Sequence, residues 1–125
     1  MRRIKLVPLL VIVVVTTLAL AGPAWAATIS CFGGNCSAPS AFKNDNNTFF
    51  ESPFNDHIIG GRGADDIFAQ FFRGERDRVD SAQGNDYINV RDGDNRDSVN
   101  CGKGRDTVLA NRGDNIANNC ERVRY

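Results

Sequence analysis

The sequence predicts an all-β protein built from a short repeat, and three observations lead to this prediction. A unit of the form Asp-x-apolar recurs along most of the 125 residues, and its apolar residue is nearly always Ile or Val. Glycine and other turn-forming residues precede many of the units, and short β-favouring stretches such as residues 87–90 follow. Self-similarity at a short fixed period is typical of solenoid proteins.

The repeat units are spaced by about nine residues. Their first residues lie at positions 47, 56, 65, 77, 86, 97, 106, 114 and 121. Four of the eight steps are nine residues long, and the others range from seven to twelve. The irregular steps indicate small insertions and deletions in the turns between strands.

Residues 1–26 have the pattern of a secretory signal peptide. Three of the first five residues are basic, residues 6–21 are mostly apolar, and residues 24–26 read Ala-Trp-Ala. The apolar run is shorter than the roughly 20 residues that a membrane-spanning helix needs. We therefore predict cleavage after Ala26 and export of the remaining chain, rather than a membrane anchor.

The charge balance argues against a nucleic-acid-binding protein. The whole chain has a formal net charge of zero. The leader holds three of the fifteen basic residues and no acidic residue, so the exported part carries a net charge of −3. A nucleic-acid partner would require a basic excess or a basic stripe. No second long apolar run follows the leader, so we expect no membrane association after cleavage.

Four cysteines lie in the exported part, and an even number in such a chain favours disulfides over a zinc site. Cys101 and Cys120 are too far apart in sequence to form the close pair that a four-thiolate zinc site usually shows. Cys31 and Cys36 complete the set. Three pairings of four cysteines remain open at this point.

One turn carries a resemblance to a known family. Residues 60–68 read Gly-Gly-x-Gly-x-Asp-x-Ile-x, which resembles the haemolysin-type calcium-binding nonapeptide of the repeats-in-toxin family. The resemblance covers residues 43–123 and implies a parallel β-roll, a β-solenoid of about four to five short coils with strands alternating between two sheets. The implied core ladder is Phe49, Ile58, Ile67, Val79, Ile88, Val99, Val108, Ile116 and Val123.

The resemblance also implies which cysteines pair. Turns of a roll alternate sides, so the turn that ends at Asp106 stacks directly on the turn before Glu121. This places Cys101 beside Cys120, and Cys31 is then left to pair with Cys36. The expected organisation is a signal peptide over residues 1–26, a disulfide-containing cap over 27–42 and the roll over 43–125.

Calcium is the cofactor that the resemblance implies. In the family, an ion lies between successive turns on one side, bound by aspartate carboxylates and turn carbonyls. The expected site residues are Asp65, Asp86 and Asp106 with Gly61, Gly63, Gly84, Gly102 and Gly104. Asp56, Asp77 and Asp97 form a weaker column. Residues 92–95 resemble the start of an EF-hand loop, but Lys103 stands where such a loop needs Glu.

The expected function is that of a secreted, extracellular calcium-binding β-roll in which calcium binding is coupled to folding. The alternative is a metal-independent structural or adhesive solenoid, whose aspartates hydrogen-bond turn amides. All eight Phe lie between residues 32 and 72. We expect them to pack as an N-terminal cap, although they could instead form a patch for an extracellular or cell-surface partner.

An enzyme is not expected. The single histidine, His57, follows Asp56 at a position that strand alternation points to the surface. Nothing in the sequence frames a catalytic triad around it.

Overall fold

A computed structural model describes residues 14–16, 27–40 and 42–125, and the strands in them alternate between two sheets. No helix in this part of the chain is long and apolar enough to cross a membrane. The strands are β1 (Val14–Thr16), β2 (Thr28–Ser30), β3 (Gly34–Ser37), β4 (Thr48–Phe50), β5 (Asp56–Ile59), β6 (Asp66–Phe68), β7 (Arg78–Asp80), β8 (Tyr87–Asn89), β9 (Ser98–Asn100), β10 (Thr107–Leu109), β11 (Asn115–Ile116) and β12 (Arg122–Arg124).

The two sheets form the predicted parallel β-solenoid. The larger sheet has the order β1-β2-β4-β6-β8-β10-β12, and the smaller has the order β11-β9-β7-β5-β3. Neighbouring strands pair in parallel throughout, except that β1 is antiparallel to β2. The nine predicted repeat units form the strands β4 to β12 in order.

The apolar residue of each unit points inward, as predicted, because side chains alternate between the faces of a strand. The larger sheet contributes the ladder Ile29, Phe49, Ile67, Ile88, Val108 and Val123. The smaller sheet contributes Cys36, Ile58, Val79, Val99 and Ile116. The rungs from Ile29 to Val108 are buried, whereas Ile116 and Val123 at the C-terminal end are only half-buried.

Residues 27–42 add one more coil to the roll, and this corrects the expectation of a separate cap. Strand β2 pairs with β4 and β3 pairs with β5, so each sheet gains a strand. Ile29 and Cys36 occupy the core positions. The repeat pattern did not reveal this coil because its strands lack the Asp-x-apolar unit.

Most of the phenylalanines do not pack as a cap, so that expectation was wrong. Phe49 is a core rung, and Phe42 packs against the core. Phe50 and Phe68 stack on the outer face of the larger sheet, with ring centroids 5.5 Å apart. The exposed rings are those of Phe32, Phe54, Phe71 and Phe72. All four lie in the segments between the strands.

Both implied disulfides are present. Cys31 pairs with Cys36 in the first coil, and Cys101 pairs with Cys120 in the last, with Cα–Cα distances of 5.5 and 5.2 Å. Closing a loop of 19 residues between Cys101 and Cys120 contributes about 3 kcal/mol in the loop-entropy model. The predicted leader lies outside the described residues, apart from the strand β1.

Candidate metal centre

Two ladders of mainly acidic and mostly buried side chains run along the roll, one on each side. We call them the first column (Asn47, Asp65, Asp86, Asp106 and Glu121) and the second column (Asp56, Asp77, Asp97 and Asp114). In each column, a carboxylate or amide oxygen accepts the backbone N–H of the residue one coil earlier. In the first column, Oδ1 of Asp65, Asp86 and Asp106 each accepts such a bond at 2.8 Å.

The second column repeats this arrangement. Oδ1 of Asp77 accepts the N–H of Asp56 and Oδ1 of Asp97 accepts the N–H of Asp77, both at 2.9 Å. Oδ1 of Asp114 accepts the N–H of Asp97 at 3.3 Å. The predicted aspartates therefore come together in two columns, and one oxygen of each satisfies a buried backbone donor. That role requires no metal.

The second carboxylate oxygen differs among members of the first column. In Asp65, Oδ2 accepts the N–H of Gly61 at 2.9 Å. In Asp86 and Asp106, Oδ2 is buried and accepts no hydrogen bond from the residues that the structure describes. Burial is the main cause that raises the pKa of Asp86 to about 7 and also raises the pKa of Asp106. A bound water or ion is a common reason for such an unpartnered atom.

Asn47 has an amide at the position where the other turns of the first column have a carboxylate, and its contacts show which groups lie around that position. Its Oδ1 accepts the N–H of Ala27 at 3.2 Å, which is the ladder hydrogen bond. Its Nδ2 donates to the carbonyl oxygens of Phe42 at 3.0 Å and Asp45 at 2.8 Å. The carbonyls of this turn therefore converge on a positively polarised group.

The predicted glycines lie where one turn stacks on the next. A Cβ atom at each of them would lie within 2.1 Å of a backbone carbonyl oxygen of the preceding turn, which leaves no room for a side chain. The contacts are Gly61 with Lys43, Gly63 with Asp45, Gly84 with Gly63, Gly102 with Ala82 and Gly104 with Gly84. Close stacking of the turns is therefore sufficient to require these glycines, whether or not their carbonyls also bind an ion.

A group of three acidic side chains lies in the turn before β9, which ends at Asp97 of the second column. Ligand oxygens of Asp92, Asp94 and Asp97 all lie within 4.8 Å of one another. Asp97 is only 2% exposed, and its Oδ2 accepts no hydrogen bond within the described part of the chain. The ion pairs in that part of the chain join His57 and Arg78 to Asp80, so none of them neutralises the cluster.

The electrostatics of this cluster favour a cation. Burial raises the pKa of Asp97 to about 8, and repulsion from Asp77 and Asp92 adds to the effect. Burial also raises the pKa of Asp92, and its contact with Asp94 raises it further. Because a positive charge among the three carboxylates would favour their ionised forms, a divalent ion would relieve both the burial and the repulsion.

Hydrogen bonds fix the cluster before any ion binds. Oδ1 of Asp92 accepts the N–H of Asp94 at 2.8 Å and the Nδ2 of Asn111 at 2.9 Å. The guanidinium groups of Arg73 and Arg96 donate to carbonyl oxygens of neighbouring turns at 2.8 and 3.1 Å. These bonds hold the neighbouring turns in place around the cluster.

Sequence reasoning gave Asp97 only as part of the weaker column and set residues 92–95 aside because the EF-hand Glu is missing. The available signal was the presence of two further aspartates, Asp92 and Asp94, in the same turn as Asp97. An EF-hand needs its Glu because one loop must supply all ligands. In a solenoid, the turn of a neighbouring coil fixes the geometry, so the EF-hand criterion does not apply.

His57 lies on the outer face of the smaller sheet and bonds two neighbours. Its Nε2 lies 2.6 Å from Oδ2 of Asp80 and its Nδ1 lies 3.1 Å from Oδ1 of Asn35. Burial by itself raises the pKa of Asp80, but hydrogen bonds from His57 and Arg78 outweigh it, and the net shift is downward. Both ring nitrogens of His57 are thus engaged with groups that are not nucleophiles.

No protein-family model, curated protein or solved structure matches this chain. The geometry of the two columns therefore carries the functional argument.

The buried carboxylates predict an unusual pH dependence in the absence of cations. The pKa values of Asp86 and Asp97 are raised from 3.8 to about 7 and about 8, so the folded chain holds protons that the unfolded chain has lost. The free energy of unfolding should therefore fall as pH rises from about 4 to about 8. Urea unfolding in chelator across this range measures it, and Asp97→Asn should flatten the slope. A stability that rises with pH over this window would contradict the prediction.

Proposed function

We propose that this protein is a secreted, extracellular calcium-binding β-roll of the repeats-in-toxin type, with its principal ion at Asp92, Asp94 and Asp97. The observation that carries the proposal is the unpartnered, buried Oδ2 of Asp97 within a group of three carboxylates. Calcium takes six to eight oxygen ligands, and three carboxylates with water can supply them. Two disulfides are in keeping with an oxidising, extracellular compartment.

The ligand set favours calcium over other common ions. The cluster offers only carboxylate oxygens, which suit hard cations rather than zinc or copper. Magnesium requires near-ideal octahedral geometry and dehydrates reluctantly, whereas calcium accepts irregular arrangements. The buried Oδ2 atoms of Asp86 and Asp106 support further ions in the first column, where the sequence predicted them.

Calcium should raise the melting temperature of the purified, oxidised protein after treatment with chelator. An ion that binds only the folded chain stabilises it by about 1.4 kcal/mol at ten times its dissociation constant. That corresponds to several degrees for a chain of this size. The measurement is a thermal melt followed by circular dichroism, during a calcium titration through the millimolar range that is typical of extracellular modules.

Asp97→Asn should abolish most of this response while the protein still folds, because the amide keeps Oδ1 as the acceptor for the N–H of Asp77. Asp66→Asn is the matched control, since Asp66 is exposed on β6 outside both columns. A wild-type melt that does not respond to calcium would refute the proposal. An undiminished response in Asp97→Asn would place the ion elsewhere, with the first column as the next candidate.

A second candidate function is a metal-independent adhesive solenoid. The observation that favours it is the exposure of Phe54 and Phe71, at 62% and 56%. Phe71 also contacts Phe50, with ring centroids 6.2 Å apart. Under this alternative, calcium leaves the melt unchanged, and retention on a cell surface falls in a Phe54→Ser, Phe71→Ser variant that folds normally.

A further inference from the structure

The outer edge of β2 accepts an antiparallel strand. In the structure, β1 occupies this edge, with Val14 opposite Ser30 and Thr16 opposite Thr28. If the leader is removed after Ala26, as the proposed secretion requires, β1 leaves with it. The outward N–H and C=O groups of β2 then lose their partners, and an unpaired sheet edge is a template for another strand.

The first coil is the N-terminal end of the core. Ala27, Ile29 and Cys31 belong to the first coil and are at most 3% exposed in the chain that includes β1. The last rungs at the opposite end, Ile116 and Val123, are only half-buried. Terminal coils of a solenoid need a cover. Because residues 27–42 form a coil of the roll, the exported chain has no separate cap at this end within the described residues.

Charge distinguishes the two ends of the roll. The C-terminal edge strand, β12, carries the exposed Arg122 and Arg124, and charged edge residues oppose strand addition. Strands β2 and β3 at the N-terminal end carry no charged residue. In a head-to-tail stack, the N-terminal edge of one copy would have to pair with the charged strand β12 of another. In a contact between two N-terminal ends, only uncharged edges meet. The occupant that fits this edge best is therefore a second copy of the same end.

A twofold axis along the normal of the larger sheet brings the free edge of β2 against β2 of the second copy, and the two strands are then antiparallel. Centred on Ile29, it sets Thr28 opposite Ser30 of the second copy, which mirrors the pairing that β1 makes. Such a contact is self-complementary and closed, so it ends at a dimer.

We propose that the exported protein, cleaved after Ala26, is a symmetric dimer joined at its N-terminal coil, with β2 of one copy antiparallel to β2 of the other. The proposal rests on the proposed secretion. Before cleavage, β1 occupies the contact edge and keeps the chain monomeric. After cleavage, the dimer covers the uncapped core and extends the larger sheet across both copies.

The test compares two double variants with the wild type, each recovered from the culture medium. Thr28→Lys with Ser30→Lys sets like charges opposite one another across the twofold axis, which destabilises an antiparallel pair. Thr28→Lys with Ser30→Glu is the control: it places opposite charges across the twofold axis, and it replaces the same two residues of the monomer with long charged side chains. Mass spectrometry gives the N-terminus, and sedimentation over about a hundredfold dilution gives the dimer dissociation constant.

We expect the wild type to begin at Ala27 and to be dimeric. The Lys/Lys variant should dissociate at least about tenfold more readily, since about 1.4 kcal/mol of repulsion corresponds to that factor. The Lys/Glu variant should match the wild type, and circular dichroism should show that both variants fold. A cleaved, monomeric wild type overturns the dimer but leaves the proposed function intact, as does an equal dissociation constant in both variants. Recovery with residues 1–26 attached overturns the dimer proposal, because β1 then still occupies the edge, and the calcium titration decides the proposed function separately.

Discussion

Gly84→Ala is expected to lower the free energy of unfolding by roughly 2–5 kcal/mol, enough to unfold a chain of marginal stability. The Cβ atom of alanine would lie 1.9 Å from the carbonyl oxygen of Gly63 in the turn above. The backbone φ of +123° adds strain for any residue with a Cβ. Because the obstacle is backbone, no side chain can move aside to relieve the contact.

Gly74→Ala is the matched control for Gly84→Ala. Gly74 also has a positive φ, at +96°, but nothing lies within 4 Å of the place a Cβ atom would take. It should cost only the conformational strain, about 1–2 kcal/mol. Urea unfolding of both variants, with both disulfides intact, measures the difference. Equal losses would mean that turn stacking does not explain the glycines of the first column.

The repeat spacing was sufficient to predict the strands from β4 to β12. Each unit supplies one inward apolar residue, and that residue fixes the face of its strand, because a one-residue slip would expose it. The resemblance to the calcium-binding nonapeptide implied a parallel roll, and that roll in turn implied the Cys101–Cys120 disulfide, since turns two strands apart then stack. The spacing is local and visible in the sequence, whereas the parallel register came from the resemblance.

The features that sequence reasoning missed depend on contacts between coils. The first coil has Ala27 and Gly34 at the positions where the next units have Asn47 and Asp56, so its pattern gave no signal. The grouping of Asp92, Asp94 and Asp97 depends on how one turn folds back on itself. The bond from each aspartate to the coil before it likewise requires the stacked structure. The spacing therefore predicted which aspartates recur in the repeat, but not which of their carboxylate oxygens lack a hydrogen-bond donor.

Asp86→Asn is expected to be more stable than Asp86→Ala at pH 8 in chelator. Both remove a buried carboxylate whose pKa is raised to about 7, mainly by burial. Asparagine keeps Oδ1 as acceptor for the N–H of Asp65, which Asp86 now accepts at 2.8 Å. Its Nδ2 can donate to turn carbonyls, as that of Asn47 does in the same column. We therefore expect Asp86→Asn to be at least as stable as the wild type.

Alanine leaves the buried N–H of Asp65 without its acceptor, which costs about 1–3 kcal/mol relative to asparagine. Urea unfolding of the two variants measures this difference, and equal stability would show that the ladder bond contributes nothing. Repeating the experiment in millimolar calcium separates the two roles of the carboxylate. If Oδ2 of Asp86 also binds an ion, calcium stabilises the wild type more than the asparagine variant, which keeps only the Asp97 turn. If the carboxylate serves only the ladder through Oδ1, calcium stabilises both proteins equally, and the ion-binding role belongs to the Asp97 turn alone.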